Sequence, residues 1–180
     1  MALLGLSSAA GAQSASSSLQ IYGTVSSAVT HKTDQTGGKN TNEMSNSLLA
    51  NSLVGFRGSE DLGGGSSASF RLESRIGSNN GASGTGDKFW DRQAWVGYSY
   101  STAATLTMGR QYHAATDRAI QSLDVYNLGG SSLHVTPLGF FGVNRFTATL
   151  DNRVDSSVKL RVRGPAGLTG AVSAGMNDGA

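Results

Sequence analysis

The sequence predicts an all-β chain: antiparallel strands of a transmembrane β-barrel. Three observations carry this. Several segments alternate strictly between apolar and polar residues, most plainly 67–77 and 153–163. Composition disfavours helix and favours turns, with 25 Gly, only 2 Pro, abundant Ser and Thr, and 14% charged residues in 180. The connections between the strands alternate long and short, as in an up-and-down meander with one elaborated rim and one plain rim.

Residues 1–12 read as the remnant of a truncated signal peptide. Leu3, Leu4 and Leu6 form the tail of an apolar region, and Ala10-Gly11-Ala12 is a small-residue cleavage site before Gln13. The basic start of such a peptide is missing, since the first lysine is Lys32. An ordinary flexible tail is the alternative reading.

The first strand begins near Leu19. Leu19, Ile21, Gly23, Val25 and Val29 share one face, and Gln20, Tyr22, Thr24, Ser26 and Ala28 the other. Residues 32–47 are polar and rich in Gly and Asn, and are expected to be a long loop. A second strand is expected over 48–57, a short glycine-rich turn over 59–66, and a third strand over 67–77. In the third, Ala68, Phe70, Leu72 and Ile76 oppose Ser69, Arg71, Glu73 and Arg75. Two such faces need two solvents: a core and water, or lipid and a wet lumen. The loop pattern selects the second, because soluble sandwiches follow no such rule.

Residues 78–88 form another loop, and 89–100 a fourth strand whose parity puts Arg92 with Ala94, Val96 and Tyr98, and Trp95 opposite. A tight Ser101-Thr102-Ala103 turn leads to a fifth strand over 105–112. There Arg110 falls on the apolar side with Leu106 and Met108. From His113 to Asn144 periodicity fails, and irregular segments of this length are functional or disordered. The segment holds Asp117, Arg118 and Asp124 and an apolar run at Leu138-Gly139-Phe140-Phe141. Alternation returns at Arg153, with Val154, Val158, Leu160 and Val162 opposing Arg153, Asp155, Ser157, Lys159, Arg161 and Arg163. Gly164-Pro165-Ala166-Gly167 is a turn, and a last strand starts at Leu168.

Several function classes drop out. With no cysteine there is no disulfide, thiolate metal site or thiol catalysis. A formal charge of +2 with no basic cluster gives no argument for nucleic acid. His31, His113 and His134 are scattered, the Gly63-Gly64-Gly65 run lacks a following Lys-Ser/Thr, and no Ser/His/Asp arrangement emerges. The chain is expected to be no enzyme and to need no metal or cofactor.

Five stretches resemble the N-terminal half of a trimeric Gram-negative general-diffusion porin of the beta-proteobacterial type. They are Leu19–Gly23, Gly55–Gly65, Phe70–Ser74, Arg92–Gly97 and Thr107–Tyr112, with looser matches at Arg153–Val158 and Gly167-Leu168. The resemblance implies about seven strands of an expected sixteen over residues 13–180. Unpaired barrel edges are intolerable in lipid, so the chain reads as a fragment, an incomplete gene product or a truncation.

The resemblance also implies a third long loop, here 113–144, folded into the lumen with Asp117 and Asp124 facing wall arginines Arg92 and Arg153. Plain loop residues and ordinary lumen solvation are the alternatives. A further wall arginine of the family falls at Leu53, which weakens the implied transverse field. Parity adds Arg71, Arg75, Lys159, Arg161 and Arg163 to the lumen face, against Glu73 and Asp155, so a mild anion preference is expected. Arg110 is a candidate for a carboxylate partner across a subunit contact. The implied setting is the cell outer membrane, with lipid bilayer and lipopolysaccharide around a homotrimer that passes small hydrophilic solutes and ions. An outer-membrane adhesin or anchor, a secreted sandwich and a nonfunctional truncated fragment are the other readings.

Overall fold

A computed structural model describes residues 17–35, 38–46, 51–84, 86–117 and 153–176. Residues 1–12, Asp124, the run 138–141 and most of the segment 113–144 lie outside them. The described residues form nine strands: β1 (Ser17–Thr24), β2 (Ala28–Gln35), β3 (Lys39–Ser45), β4 (Leu53–Gly63), β5 (Ser66–Arg75), β6 (Gln93–Tyr100), β7 (Ala104–Tyr112), β8 (Arg153–Arg163) and β9 (Thr169–Gly175). Seven make one sheet in the order β1-β4-β5-β6-β7-β8-β9, antiparallel throughout, and β2 with β3 forms a separate hairpin. Within the sheet the connections β4–β5, β6–β7 and β8–β9 are short and the others long, as expected. The sheet has the meander topology expected of a barrel wall and is not closed within these strands.

The period-two pattern sets which side each residue faces, and cross-strand register carries it through the sheet. Gln20 pairs with Arg57, Arg57 with Arg71, Arg71 with Trp95, Thr107 with Lys159, and Lys159 with Ser173, which makes one continuous polar face. Ile21, Phe56, Leu72 and Ala94 make the other, with Val96, Met108, Val158 and Ala174 along the neighbouring row. Burial is inverted relative to a soluble sheet. Val96 is 57% exposed and Val172 63%, whereas Glu73 is 3% and Lys159 7% exposed. Such an apolar outer face is what a lipid-facing wall requires. Aromatics mark its two ends: Trp90 packs edge-on against Phe56 and Phe89 at the long-connection end, and Tyr98 and Tyr100 stand at the short-turn end. Trp95, one residue from Val96, is on the polar face instead.

Several boundaries differ from expectation: β1 ends at Thr24, so Val25 lies beyond it and Val29 belongs to β2, while β4 begins at Leu53 and not 48, and β6 at Gln93 and not 89. The polar segment 32–47 contains much of a β-hairpin. Neither of its faces is buried in a core, so no apolar period marks it; cross-strand polar pairs hold it, Lys32 Nζ to Glu43 Oε2 at 2.5 Å and His31 Nδ1 to Asn42 Oδ1 at 2.6 Å. Strand β4 runs on to Gly63 instead of ending at 57, because Ser59 and Glu60 continue the ladder opposite Ser69 and Ala68. The turn is tight, with Gly63, Gly64 and Gly65 at φ of 80°, 61° and 78°, a conformation in which any side chain is strained.

Candidate functional site

The polar face gathers charge into two groups. The first is built on Glu73, in β5. Its Oε2 accepts from Tyr22 Oη at 2.9 Å and lies 3.2 Å from Arg71 Nη2; its Oε1 accepts from Arg92 Nε. Arg71 Nε donates to Tyr22 Oη at 2.7 Å. Arg92 continues to Tyr112 Oη at 3.4 Å, and Arg153 donates to the same hydroxyl and stacks on its ring with the guanidinium carbon 4.4 Å from the centroid. One carboxylate and two tyrosines thus tie together Arg71, Arg92 and Arg153 from three strand regions. Arg92 is 4% exposed, so its charge is compensated by direct contact and not by bulk water.

Strand parity misplaces Arg92. It precedes β6, which begins at Gln93, so it is free of the strand's alternation and turns toward Glu73 instead of following Ala94 and Val96 outward. Next to it Asp91 holds Arg75: its Oδ1 accepts from the Arg75 backbone N–H at 2.9 Å, and its Oδ2 lies 2.7 Å from Arg75 Nε, an ion pair at an angle outside hydrogen-bond geometry.

The second group is built on Asp117. Its Oδ2 accepts from Lys159 Nζ at 3.0 Å and from Arg161. Lys159 also donates to the Tyr112 carbonyl at 3.1 Å, and the Ala114 N–H donates to Ser173 Oγ at 2.9 Å. A helical turn begins here, with the Asp117 N–H donating to the His113 carbonyl at 3.0 Å. The chain leaving β7 therefore folds across β8 and β9 on the polar side. Of the expected residues, Arg92, Arg153, Arg71 and Glu73 meet in one group and Asp117, Lys159 and Arg161 in the other. Leu53 sits on the same face opposite Arg75, without charge.

A bulge interrupts the ladder between β7 and β8 beside these groups. Gly109 pairs with Ser157 but Gln111 pairs with Val154, so one extra residue is accommodated on β8. Gly109 has φ of 128°, and a Cβ there would lie 2.2 Å from the Ala94 carbonyl oxygen. Past the bulge, strict parity no longer holds. Asp155, expected beside Lys159, instead meets Arg110 Nη1 at 2.6 Å and Lys88. Arg110 also donates from Nε to the Asp91 carbonyl at 2.8 Å. Within this chain the carboxylate it meets is that of Asp155. Sequence reasoning does not single out Tyr22, Tyr112 or Arg57 as site residues. A tyrosine among Gln20, Thr24 and Ser26 on the polar side of a strand is the available signal for the first.

A family model described as Gram-negative porin matches residues 1–180. An outer membrane porin protein of Bordetella pertussis is 34% identical over 111 residues, covering 62% of this chain and 28% of the relative. Outer membrane porin protein 32 of Delftia acidovorans is 32% identical over 128 residues, covering 71% and 35%. Among solved structures, an anion-selective porin from Comamonas acidovorans superposes with a TM-score of 0.66 at 22% identity, over 91% of this chain and 48% of that one. The chain spans about a third of the length of the curated relatives and about half of the solved structure. The two curated relatives are named as outer-membrane porins and the solved structure as a porin, and none as an enzyme. On its inverted sheet, its alternating connections and the family match along its whole length, this chain belongs to the Gram-negative porin family of the outer membrane.

Proposed function

We propose that the protein works as an outer-membrane channel through which small hydrophilic solutes and ions diffuse passively, with a mild preference for anions. The observation that carries the preference is the charge balance of the two groups on the polar face. The carboxylate at the centre of each is shared by two cations, Glu73 by Arg71 and Arg92, and Asp117 by Lys159 and Arg161, so each group keeps a net positive charge. Arg57 adds to it. Charges lining a wet passage bias which ions enter it. The Comamonas acidovorans porin with the superposable fold is described as anion-selective, which agrees with this reading.

In this reading Arg92 and Arg153 are wall cations. Asp117 belongs to the constricting segment 113–144, and the docking of its first turn against Lys159 and Arg161 supports an inward course. Residues 1–12 are the remnant of a truncated export signal, and the barrel sits in lipid and lipopolysaccharide as a homotrimer. The test is the reversal potential of the reconstituted protein in a planar bilayer under a salt gradient. An anion-to-cation permeability ratio above one is expected; a ratio favouring cations overturns the selectivity, and no conductance overturns the channel.

A further inference from the structure

The wall holds a recess of about 360 Å³ on its polar face, towards the short-turn end, lined by Gln20, Arg57, Ser59, Ser69, Arg71 and Trp95 among others. Arg57 and Arg71 are direct cross-strand partners on β4 and β5. Like charges directly opposite one another in an antiparallel pair repel. A sequence chosen for stability alone would place a carboxylate at one of the two positions. The only carboxylate paired with either of them among the described residues is Glu73, 3.2 Å from Arg71 on the side away from the recess and already shared with Arg92.

Both guanidiniums are held in place. Arg57 donates from Nε to Gln20 Oε1 at 2.7 Å, and Arg71 from Nε to Tyr22 Oη at 2.7 Å. Their carbons lie 5.4 and 5.3 Å from the centroid of the same Tyr22 ring. Arg57 uses only Nε for hydrogen bonding among the described residues, which leaves its two terminal nitrogens as a fork for an incoming oxyanion. Trp95 stands opposite Arg71 on the next strand, its indole nitrogen already donating to Gln93 Oε1 at 3.0 Å. What it offers the recess is therefore its flat apolar ring.

We infer that this recess is a weak, saturable subsite for carboxylate-bearing solutes with a flat body: the carboxylate is taken between Arg57 and Arg71, and the body lies against Trp95. The inference deepens the anion-preferring channel and rests on that reading for its physiological meaning, but binding itself needs no conduction. Affinity in the millimolar range suits a channel, in which a solute must leave as readily as it enters.

The test is an NMR titration of the folded protein in detergent with benzoate, acetate and benzylammonium. Benzoate is expected to saturate, acetate to bind about fivefold more weakly, and benzylammonium not to bind. Arg57→Gln should weaken benzoate about tenfold through loss of the bidentate contact. Trp95→Leu should reduce benzoate to the level of acetate and leave acetate unchanged. Equal binding of benzoate and acetate to the unaltered protein overturns the proposal, as does benzoate binding indifferent to Arg57→Gln. Should Arg57→Gln not fold, Trp95→Leu decides alone, because a surviving preference for benzoate over acetate overturns the role of the ring. Reversal potentials of the same preparation keep the two ideas apart. Anion preference without saturable benzoate binding sinks only the subsite, and saturable binding with cation preference sinks only the selectivity.

Discussion

Glu73 and Asp117 solve the same electrostatic problem in two different places. Each is one carboxylate between two cations on the polar face. Glu73 is set within the wall, 3% exposed, and its partners come from its own strand and the start of the next. Asp117 is set on the segment that leaves β7, 18% exposed, and its partners come from β8. The first is a structural tie in which Glu73 and Arg92 cannot retreat to water, although Arg71 can. The second fastens a segment to a wall that would stand without it. Similar contacts should therefore differ in energy and in what they control.

The largest effect is expected at Glu73. Glu73→Ala takes from Arg92, 4% exposed, the carboxylate in direct contact with it and leaves only the Tyr112 hydroxyl and the neighbouring Asp91, and breaking a buried pair from one side costs about 3–5 kcal/mol. The urea midpoint of the protein folded into lipid vesicles should fall accordingly. The double variant Glu73→Ala/Arg92→Gln should recover part of that loss, because the stranded charge is gone. A double variant no better than the single would show that the pair's energy is not what holds this region.

Next comes the bulge beside the two groups. Gly109→Ala places a Cβ 2.2 Å from the Ala94 carbonyl oxygen at φ of 128°, a cost of about 1–3 kcal/mol. If β7 and β8 answered by pairing without the bulge, Asp155 would turn toward Lys159 and leave Arg110 and Lys88. Denaturation midpoints read the cost, and a melting curve indistinguishable from the unaltered protein would mean that the bulge is not strained by a side chain.

This bulge also marks how far the sequence could be read. Period-two alternation sorted Arg71, Glu73, Lys159 and Arg161 onto the polar side because each lies within an unbroken ladder. It failed for Asp155, beyond the slip between Gly109 and Gln111, and for Arg92, which lies just before its strand begins. It was silent about the hairpin of β2 and β3, since a strand wet on both sides has no apolar period to detect. Alternation was silent for another reason about the attachment of Asp117, which the resemblance alone implied, and there toward Arg92 and Arg153. That attachment depends on where a helical turn starting at His113 lies in space, and no local pattern encodes that.

At Asp117 the expected change is smaller in stability and larger in permeation. Asp117→Asn takes the carboxylate from Lys159, 8% exposed, but leaves an amide oxygen to accept from it and lets Arg161, 39% exposed, turn to water, so a cost of about 1–3 kcal/mol is expected, while the charges of Lys159 and Arg161 are freed toward the passage. The anion-to-cation permeability ratio should rise while the denaturation midpoint falls by less than it does for Glu73→Ala. Glu73→Ala should show the reverse weighting, so the pair of variants measured by both methods tests the comparison directly. Equal stability losses at the two sites would erase the distinction between wall and attached segment.

The smallest effect should come from the hairpin, which supplies the reference point for both. Lys32 and Glu43 approach to 2.5 Å, no farther apart than Lys159 and Asp117, yet their side chains are 46% and 49% exposed. Water and salt screen such a pair, and holding two long side chains in one geometry costs entropy that offsets most of the attraction. Lys32→Gln should therefore shift the denaturation midpoint by no more than about 0.5 kcal/mol. If it destabilised the protein as much as Asp117→Asn, exposure would not be what ranks these pairs. The ordering of Glu73 over Asp117 would then need another cause, such as the Tyr22 and Tyr112 hydroxyls that only the Glu73 group contains.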